Sequence, residues 1–291
     1  MKNREMIANL ILLIVAIIWG GGFIAGKMAL TTLNPVAVLM YRFSLGAFLC
    51  GVTFWNRIKN TPLSVIKKGV IIGVIQMIGL TVQLSGLQYT STANQSFLCT
   101  AYVAFVPFIS WIILRKRPAG KAFVAGLLAL AGIGLICLDR ALSIGIGDSL
   151  SVMFSVIFGV QIVVVGLLVD GDIDVFQLSF FQLLTAAIVS FGISLFQGDI
   201  IGAFNTESII GVLYLGILNT FVAFLGQNYA QKYTKDTVAA LIMSLESVFG
   251  FLLSVLYYNE VITLKFLMGS TLCFVAILIN TVKVKKLVSK V

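Results

Sequence analysis

The 291-residue chain contains no histidine, and only 11% of its residues are charged. The absence of histidine excludes a histidine-based catalytic triad and a histidine metal site. The four cysteines each lie alone in apolar surroundings, without the C-x-x-C spacing of metal and redox sites: Cys50, Cys99, Cys137 and Cys273. No G-x-S-x-G or phosphate-loop motif occurs either. We therefore expect no enzyme activity, no metal and no cofactor.

Apolar sequence is what the chain has in abundance. Hydrophobic residues make up 59% of it, and the mean hydropathy is +1.07. Soluble domains average about 45–50% apolar and about 25% charged residues. No single soluble core could bury so much apolar surface, so the composition predicts an integral membrane protein. The net charge of +9 then reflects basic loops that set orientation in a membrane, and we expect no nucleic-acid partner.

Ten apolar segments are each long enough to cross a bilayer core of about 30 Å. They cover residues 7–30, 36–55, 69–88, 93–114, 122–138, 149–169, 175–197, 208–230, 237–258 and 264–282. The predicted fold class is an all-α polytopic membrane protein with ten transmembrane helices and short basic ends, residues 1–6 and 283–291. The first segment follows a basic start as signal peptides do, but no A-x-A-like cleavage site follows it. We expect it to be a retained helix.

The positions of lysine and arginine predict the orientation. With the N-terminus in the cytoplasm, the loops on the cytoplasmic side hold sixteen of the twenty basic residues. Only Arg140 and Lys265 lie outside, while Lys27 and Arg42 fall within helices. Cytoplasmic loops normally carry this excess of positive charge. We therefore expect a multi-pass protein of a bacterial plasma (inner) membrane with both termini in the cytoplasm.

The two halves of the chain show a weak similarity. Three pairs of positions correspond in the same order: Trp19-Gly20 with Phe158-Gly159, Arg42 with Gln182, and Tyr89-Thr90 with Tyr233-Thr234. In this register Glu246 stands opposite Tyr102. Because each half has five crossings, the second half must be inverted, and inverted repeats place a substrate site near the membrane midplane. Chance similarity between apolar helices is the alternative.

Several short pieces match a known family in order and spacing. They are Trp19-Gly20 with Phe23, Pro35 with Arg42, Gly86-Leu87, Tyr89-Thr90-Ser91, Ala93, Pro107 and Leu245-Glu246. Over essentially its whole length the chain resembles the ten-helix EamA-type branch of the drug/metabolite transporter superfamily. It departs from that pattern at Ser247, where the family often has proline. The resemblance implies two five-helix EamA-like repeats, residues 7–139 and 147–282, around a central cavity, and the export or exchange of small metabolites.

Glu246 is the only acid within the apolar stretch from Val238 to Tyr258. A carboxylate at the centre of a membrane helix costs about 2.5–3.5 kcal/mol on insertion scales, so such an acid normally faces a cavity or a bundle interior. We interpret Glu246 as a group that alternately holds a proton and a cationic or zwitterionic substrate. The alternative is an acid neutralised by protonation or by polar neighbours, with a packing role alone.

Other residues within the predicted helices are candidates for the cavity. Arg42 lies about 10 Å along its helix and either orients a substrate carboxylate or clamps the structure, whereas Lys27 can snorkel to the interface. Helix–helix contact is the alternative for each of the remaining candidates: Trp19, Phe23, Gln76, Gln83, Tyr102, Gln161, Gln182 and Gln227. The candidates for close packing or hinge bending are Gly20, Gly22, Gly26 and Pro107.

The sequence predicts a secondary transporter for an amino acid or a related zwitterion or cation, working by alternating access as an exporter or exchanger. Proton linkage through Glu246 is the mechanistic hypothesis. The expected partners are the substrate, membrane lipid and protons, and the expected state is a monomer or homodimer. Three alternatives stay open: an uptake permease or facilitator of the same fold, a lipid-linked sugar flippase, and a structural or sensory component without flux.

Overall fold

The computed structural model describes residues 2–115, 120–137, 145–169, 171–198, 202–259 and 262–281. Nearly all of these residues are helical, and none of them lies in a strand. The first five helices are Lys2–Ala29, Pro35–Ile58, Leu63–Leu87, a fourth in two pieces (Thr92–Cys99 and Tyr102–Leu114) and Gly120–Cys137. The sixth to eighth are Ile146–Leu168, Val175–Gln197 and Thr206–Gln231; the ninth is in two pieces (Asp236–Met243 and Glu246–Tyr258), and the tenth is Leu264–Thr281.

Eight of the described helices are long and apolar enough to cross a membrane, and the fifth and tenth contain shorter apolar stretches, Val124–Ile136 and Leu264–Ala276. Roughly half of each long apolar stretch is buried against other helices. Large apolar side chains such as Phe196 and Leu256 cover the outside, as lipid requires. The predicted all-α polytopic membrane fold is therefore confirmed.

The ends of the helices differ slightly from the predicted boundaries. The first helix begins at Lys2, so residues 2–6 are helical and do not form a separate basic end. The fifth helix ends at Cys137 and the tenth at Thr281. Residues 138–139, 282 and the predicted basic end at 283–291 lie outside the described residues.

Short polar side chains begin several helices by capping backbone donors. The side chain of Asn34 accepts a hydrogen bond from the amide of Ala37, with Pro35 at the first helical position. Ser91 caps the fourth helix through the amide of Asn94. At the eighth helix Asn205 and Ser208 cap each other reciprocally (the capping box). These caps satisfy donors that hydrocarbon cannot.

Helices from the two halves of the chain interdigitate. The third packs against the sixth and seventh, and the eighth packs against the first and second. The fourth helix contacts the sixth and ninth, while the ninth contacts the first and fourth. The fifth and tenth pack against each other: a Cβ on Gly132 would lie 2.7 Å from the carbonyl oxygen of Gly269, so only glycine allows this approach.

The fourth and ninth helices are both interrupted midway. The interruption of the fourth lies at Thr100 and Ala101, and that of the ninth lies at Ser244 and Leu245. The hydroxyls of Thr100 and Ser244 donate to backbone carbonyls one turn back, at 2.8 and 2.6 Å. Pro107 lies beyond the first interruption, inside the continuous helix Tyr102–Leu114. Each second piece begins with a buried side chain, Tyr102 in the fourth helix and Glu246 in the ninth.

Candidate functional site

A small cavity of about 40 Å³ lies between the first, second, third, fourth, sixth, eighth and ninth helices. This volume has room for a few water molecules, so a substrate requires the surrounding helices to move apart. Most of its wall is apolar: Trp19, Phe23, Leu80, Leu84, Leu87, Phe154, Phe158, Leu215 and Phe224. A few polar side chains and one glycine complete the wall: Arg42, Gln83, Gln95, Asn219, Glu246 and Gly22.

Glu246 lies at the point where the ninth helix resumes after its interruption. Its side chain is only 5% exposed. Tyr102, which opens the second piece of the fourth helix, donates a hydrogen bond from Oη to Oε1 of Glu246 at 3.3 Å. The N-terminus of a helix also favours negative charge. The two helix interruptions therefore hold this acid in a buried place with one donor and with access to the cavity.

Arg42 projects from the second helix and is 1% exposed. Its Nε donates to Oγ1 of Thr220 at 2.8 Å, and its Nη2 donates to Oδ1 of Asn219 at 2.7 Å. Both partners belong to the π-helical segment Leu215–Val222 of the eighth helix, a type of distortion that is frequent at functional sites. Because both partners are neutral, they hold the guanidinium in place without matching its charge.

Aromatic rings surround these charged groups. Trp19 lies edge-on to Phe158 with ring centroids 5.5 Å apart, and 5.4 Å from Phe224. The indole Nε1 of Trp19 donates to the carbonyl oxygen of Asn219 at 3.1 Å, and Phe158 also lies against Tyr102 at 5.2 Å. Such walls lower the local dielectric and strengthen the polar contacts inside. Their faces also suit a cation.

Four of the predicted cavity residues lie below the cavity instead of on its wall. Gln76, Gln161, Gln182 and Gln227 are buried together with Asn228 and Gln231, and we call these six residues the amide cluster. Within it Gln182 donates to Gln76, Asn228 donates to Gln182 at 2.5 Å, and Gln227 donates to Gln161 at 3.2 Å and to Gln231 at 2.9 Å. None of the six borders the cavity.

The amide cluster lies at one end of the cavity. On the third helix Gln76 precedes the wall residue Leu80 by four positions, on the same helix face. On the sixth and eighth helices Gln161 and Gln227 follow the wall residues Phe158 and Phe224 by three positions. In all three helices the step from the wall residue to the glutamine runs the same way through the bundle, toward the start of the third helix and the ends of the sixth and eighth. The cluster therefore fills the bundle beneath the cavity.

The remaining predicted residues have defined positions. Five of the predicted cavity residues line the cavity: Trp19, Phe23, Arg42, Gln83 and Glu246. Tyr102 does not line it but donates a hydrogen bond to Glu246. Of the glycines, Gly22 lines the cavity, Gly20 packs against the ninth helix, and Gly26 packs against Leu84 and Leu87. Lys27, expected to snorkel, donates to the carbonyl oxygens of Leu87 and Thr90 at 3.0 and 3.3 Å.

Sequence reasoning missed nine residues of the cavity wall: Leu80, Leu84, Leu87, Gln95, Phe154, Phe158, Leu215, Asn219 and Phe224. Two of them are polar side chains inside apolar helices, which is the same signal that singled out the other glutamines. The three phenylalanines carry no such signal. Among the described residues no group of three or more cysteines and acids is placed to hold a metal ion.

Comparisons with known proteins agree with this architecture. The family model of the EamA-like transporter family matches twice, at residues 6–138 and 145–282. An uncharacterized transporter of Archaeoglobus fulgidus is 33% identical over 97% of this chain and 88% of its own length. A second uncharacterized transporter of that organism is 26% identical over 87% of this chain and 89% of its own.

The fold also matches a solved structure. A crystal structure with 16% sequence identity superimposes with a TM-score of 0.71, covering 94% of this chain and 96% of the other. At that identity the likeness concerns the fold alone. The family matches over both halves of the chain, with the 33% identical relative, show that this multi-pass membrane protein belongs to the EamA-like transporter family.

Proposed function

We propose that this transporter moves a small zwitterionic metabolite, an amino acid or a related compound, by alternating access, as an exporter or exchanger in a bacterial plasma membrane. One observation carries the proposal. Arg42 and Glu246 both line the cavity and are buried, and among the described residues neither has an opposite charge within 4 Å. An amino acid supplies both counter-charges, its ammonium group to Glu246 and its carboxylate to Arg42.

The neutral partners of each charge support this assignment. Asn219 and Thr220 hold the guanidinium of Arg42 through Nε and Nη2, which leaves Nη1 for a substrate carboxylate. Tyr102 donates to one oxygen of Glu246, which leaves the other for an ammonium group. Fixed donors and acceptors in a dry cavity bind a complementary ligand more tightly because they need no reorganisation.

Two features support alternating access. The amide cluster fills the bundle at one end of the cavity, so a substrate in the cavity can leave at that end only after the cluster opens. The third helix packs on the sixth and seventh, and the eighth packs on the first and second. Two inverted repeats would produce this matching pattern of contacts. We assign these repeats to residues 7–139 and 147–282 and expect them to rock against each other.

Glu246 is the group through which a proton gradient would act. A bare carboxylate in a dry cavity is costly, and a protonated carboxyl bound by Tyr102 is much less so. When a proton enters from outside, it neutralises Glu246 and releases the ammonium group of the substrate. The basic ends of the third and eighth helices, with Lys67, Lys68 and Lys232, face the cytoplasm in this scheme. An inward proton gradient then drives export.

The test is counterflow into proteoliposomes with a panel of labelled amino acids and organic cations. Wild-type protein is expected to accumulate one or more amino acids, and acid on the external side is expected to speed their release. Glu246→Gln should abolish the dependence on the pH gradient. Glu207→Gln makes the same chemical change at an exposed acid and is expected to behave as wild type.

Two outcomes would contradict the proposal. If Glu246→Gln remains fully driven by a pH gradient, the proton does not act through this carboxyl group. If no amino acid or cation on the panel accumulates, the substrate class is wrong. The search then moves to sugars and to lipid-linked molecules, for which lipid scrambling is the assay.

A further inference from the structure

Gln95 is a polar wall residue that the two charges of the cavity do not explain. It lies on the first piece of the fourth helix, is fully buried, and lines the same cavity as Arg42 and Glu246. Its side chain is neutral, so it contributes a directed hydrogen bond and no charge. The question is which of its two amide atoms is left for a ligand.

The surroundings of Gln95 fix the orientation of its carboxamide. One terminal atom lies 2.7 Å from the main-chain oxygen of Gln83 and 3.4 Å from Oγ of Ser151. A carbonyl oxygen only accepts hydrogen bonds, so the atom facing it must be the NH2 group. Ser151 donates its own hydrogen to the carbonyl oxygen of Gly147 at 2.8 Å, so its Oγ is also an acceptor. Both neighbours therefore demand Nε2 at this position.

The other terminal atom, Oε1 of Gln95, is then an acceptor held in a set direction. Among the described residues it has no hydrogen-bond partner, although it is buried. A buried acceptor without a partner is unfavourable. Gln95 lines the cavity, so a ligand with an N–H or O–H group would satisfy this acceptor once the surrounding helices move apart to admit the ligand.

This acceptor is separate from the charged groups. Gln95 belongs to the first piece of the fourth helix, whereas Tyr102, which binds Glu246, begins the second piece beyond the interruption. A substrate whose ammonium group binds Glu246 and whose carboxylate binds Arg42 has used both of its charged ends. The group that reaches Gln95 must then belong to its side chain.

We propose that Gln95 selects substrates by accepting a hydrogen bond from a donor on the side chain, so that the transporter prefers zwitterions with a hydroxyl, amide or amine group over apolar ones of the same shape. This inference rests on the proposed function, because it assumes that the two charged ends of the substrate occupy Arg42 and Glu246. It adds a third recognition point to the cavity.

The test compares pairs of similar shape in proteoliposome counterflow: threonine with valine, glutamine with methionine, and lysine with norleucine. In at least one pair the donor-bearing member is expected to bind about tenfold more tightly to wild-type protein. Gln95→Met keeps the length of the side chain and removes the acceptor. It should lower that ratio to about one by weakening the donor-bearing member, with the apolar member unchanged.

Two further variants keep the test decisive. Gln197→Met is the matched control at an exposed glutamine and should leave every ratio unchanged. If Gln95→Met does not fold, Ser151→Ala removes only the weaker bond to Nε2 and should lower the ratio in part. If amino acids show counterflow but neither variant changes the ratios, the role of Gln95 is overturned and the proposed function stands. If there is no counterflow at all, the proposed function is overturned as well.

Discussion

Tyr102 and Glu246 each begin the second piece of an interrupted helix, and the phenol oxygen of one lies 3.3 Å from a carboxylate oxygen of the other. Neither interruption contains glycine or proline; the residues are Thr100 and Ala101 in one case and Ser244 and Leu245 in the other. At each interruption a hydroxyl group bonds back to the preceding turn, Thr100 to the carbonyl oxygen of Phe97 and Ser244 to that of Leu241. Matching interruptions in the fourth and ninth helices thus place an acid and its hydrogen-bond donor side by side, one from each half of the chain.

Tyr102→Phe removes this donor and keeps the ring that packs against Phe158. We expect transport to fall about tenfold or more, because a hydrogen bond to a charged group contributes about 1.5–3 kcal/mol. Counterflow at several pH values measures the effect. Tyr257→Phe, at an exposed tyrosine, is the control. Unchanged transport and pH dependence in Tyr102→Phe would show that the phenol does not support the carboxyl group.

Arg42 can be tested as a ligand and as a clamp with two different substitutions. Thr220→Val removes the bond to Nε and keeps the charge, so we expect it to lower the unfolding temperature with little change in substrate selectivity. Arg42→Lys keeps a charge but loses the planar geometry that binds a carboxylate through two nitrogens. We expect it to lower the affinity for carboxylate-bearing substrates at least tenfold.

Thermal unfolding in detergent and counterflow competition separate the two roles of Arg42. If both variants lose the same stability, and if amino acids and amines without a carboxylate compete as they do with wild-type protein, Arg42 is a structural clamp only. A selective loss for the carboxylate-bearing compounds in Arg42→Lys would make it a ligand.

Replacing Gln182, at the centre of the amide cluster, is expected to change the access of water to the cluster. Gln182→Leu leaves a donor on Asn228 and an acceptor on Gln76 without their partner, which favours states in which water reaches them. A cysteine at Ser179, which accepts from Asn228 at 3.0 Å, reports this in a background without the native cysteines. Its labelling by a membrane-impermeant thiol reagent from the cytoplasmic side should rise several-fold.

A cysteine at Ser190, equally buried on the same helix but away from the cluster, is the matched control and should stay unlabelled. The double variant Gln76→Leu with Gln182→Leu removes both sides of one bond, so labelling of the cysteine at 179 should return toward the wild-type level. Equal labelling in all variants would mean that the cluster does not restrict access.

Much of the fold could be predicted because hydrocarbon imposes one rule. Every long apolar segment had to be a helix, and a buried charge such as Arg42 or Glu246 had to find a cavity or partners. The glutamines show the limit of this reasoning. Gln76 and Gln83 share a face of the third helix, yet Gln83 lines the cavity and Gln76 bonds with Gln182.

The difference between these two glutamines depends on tertiary structure. The spacing of residues along one helix gives the face on which a side chain lies but not its depth relative to the neighbouring helices. The packing of the third helix on the sixth and seventh decides which groups each amide contacts. The helix interruptions had no sequence signal for a similar reason. Thr100 and Ser244 are ordinary helix residues elsewhere, and Pro107, the obvious breaker, lies within an unbroken turn.

The amide cluster contains only uncharged side chains, and this has an electrical consequence. A barrier made of ion pairs would move charge through the membrane field when it parts, at about 2.3 kcal/mol per elementary charge per 100 mV. Amides that separate move none. If the transporter works by alternating access as we propose, the membrane voltage acts on it through Arg42, Glu246 and the substrate they hold, and separation of the amide cluster moves no side-chain charge through the field.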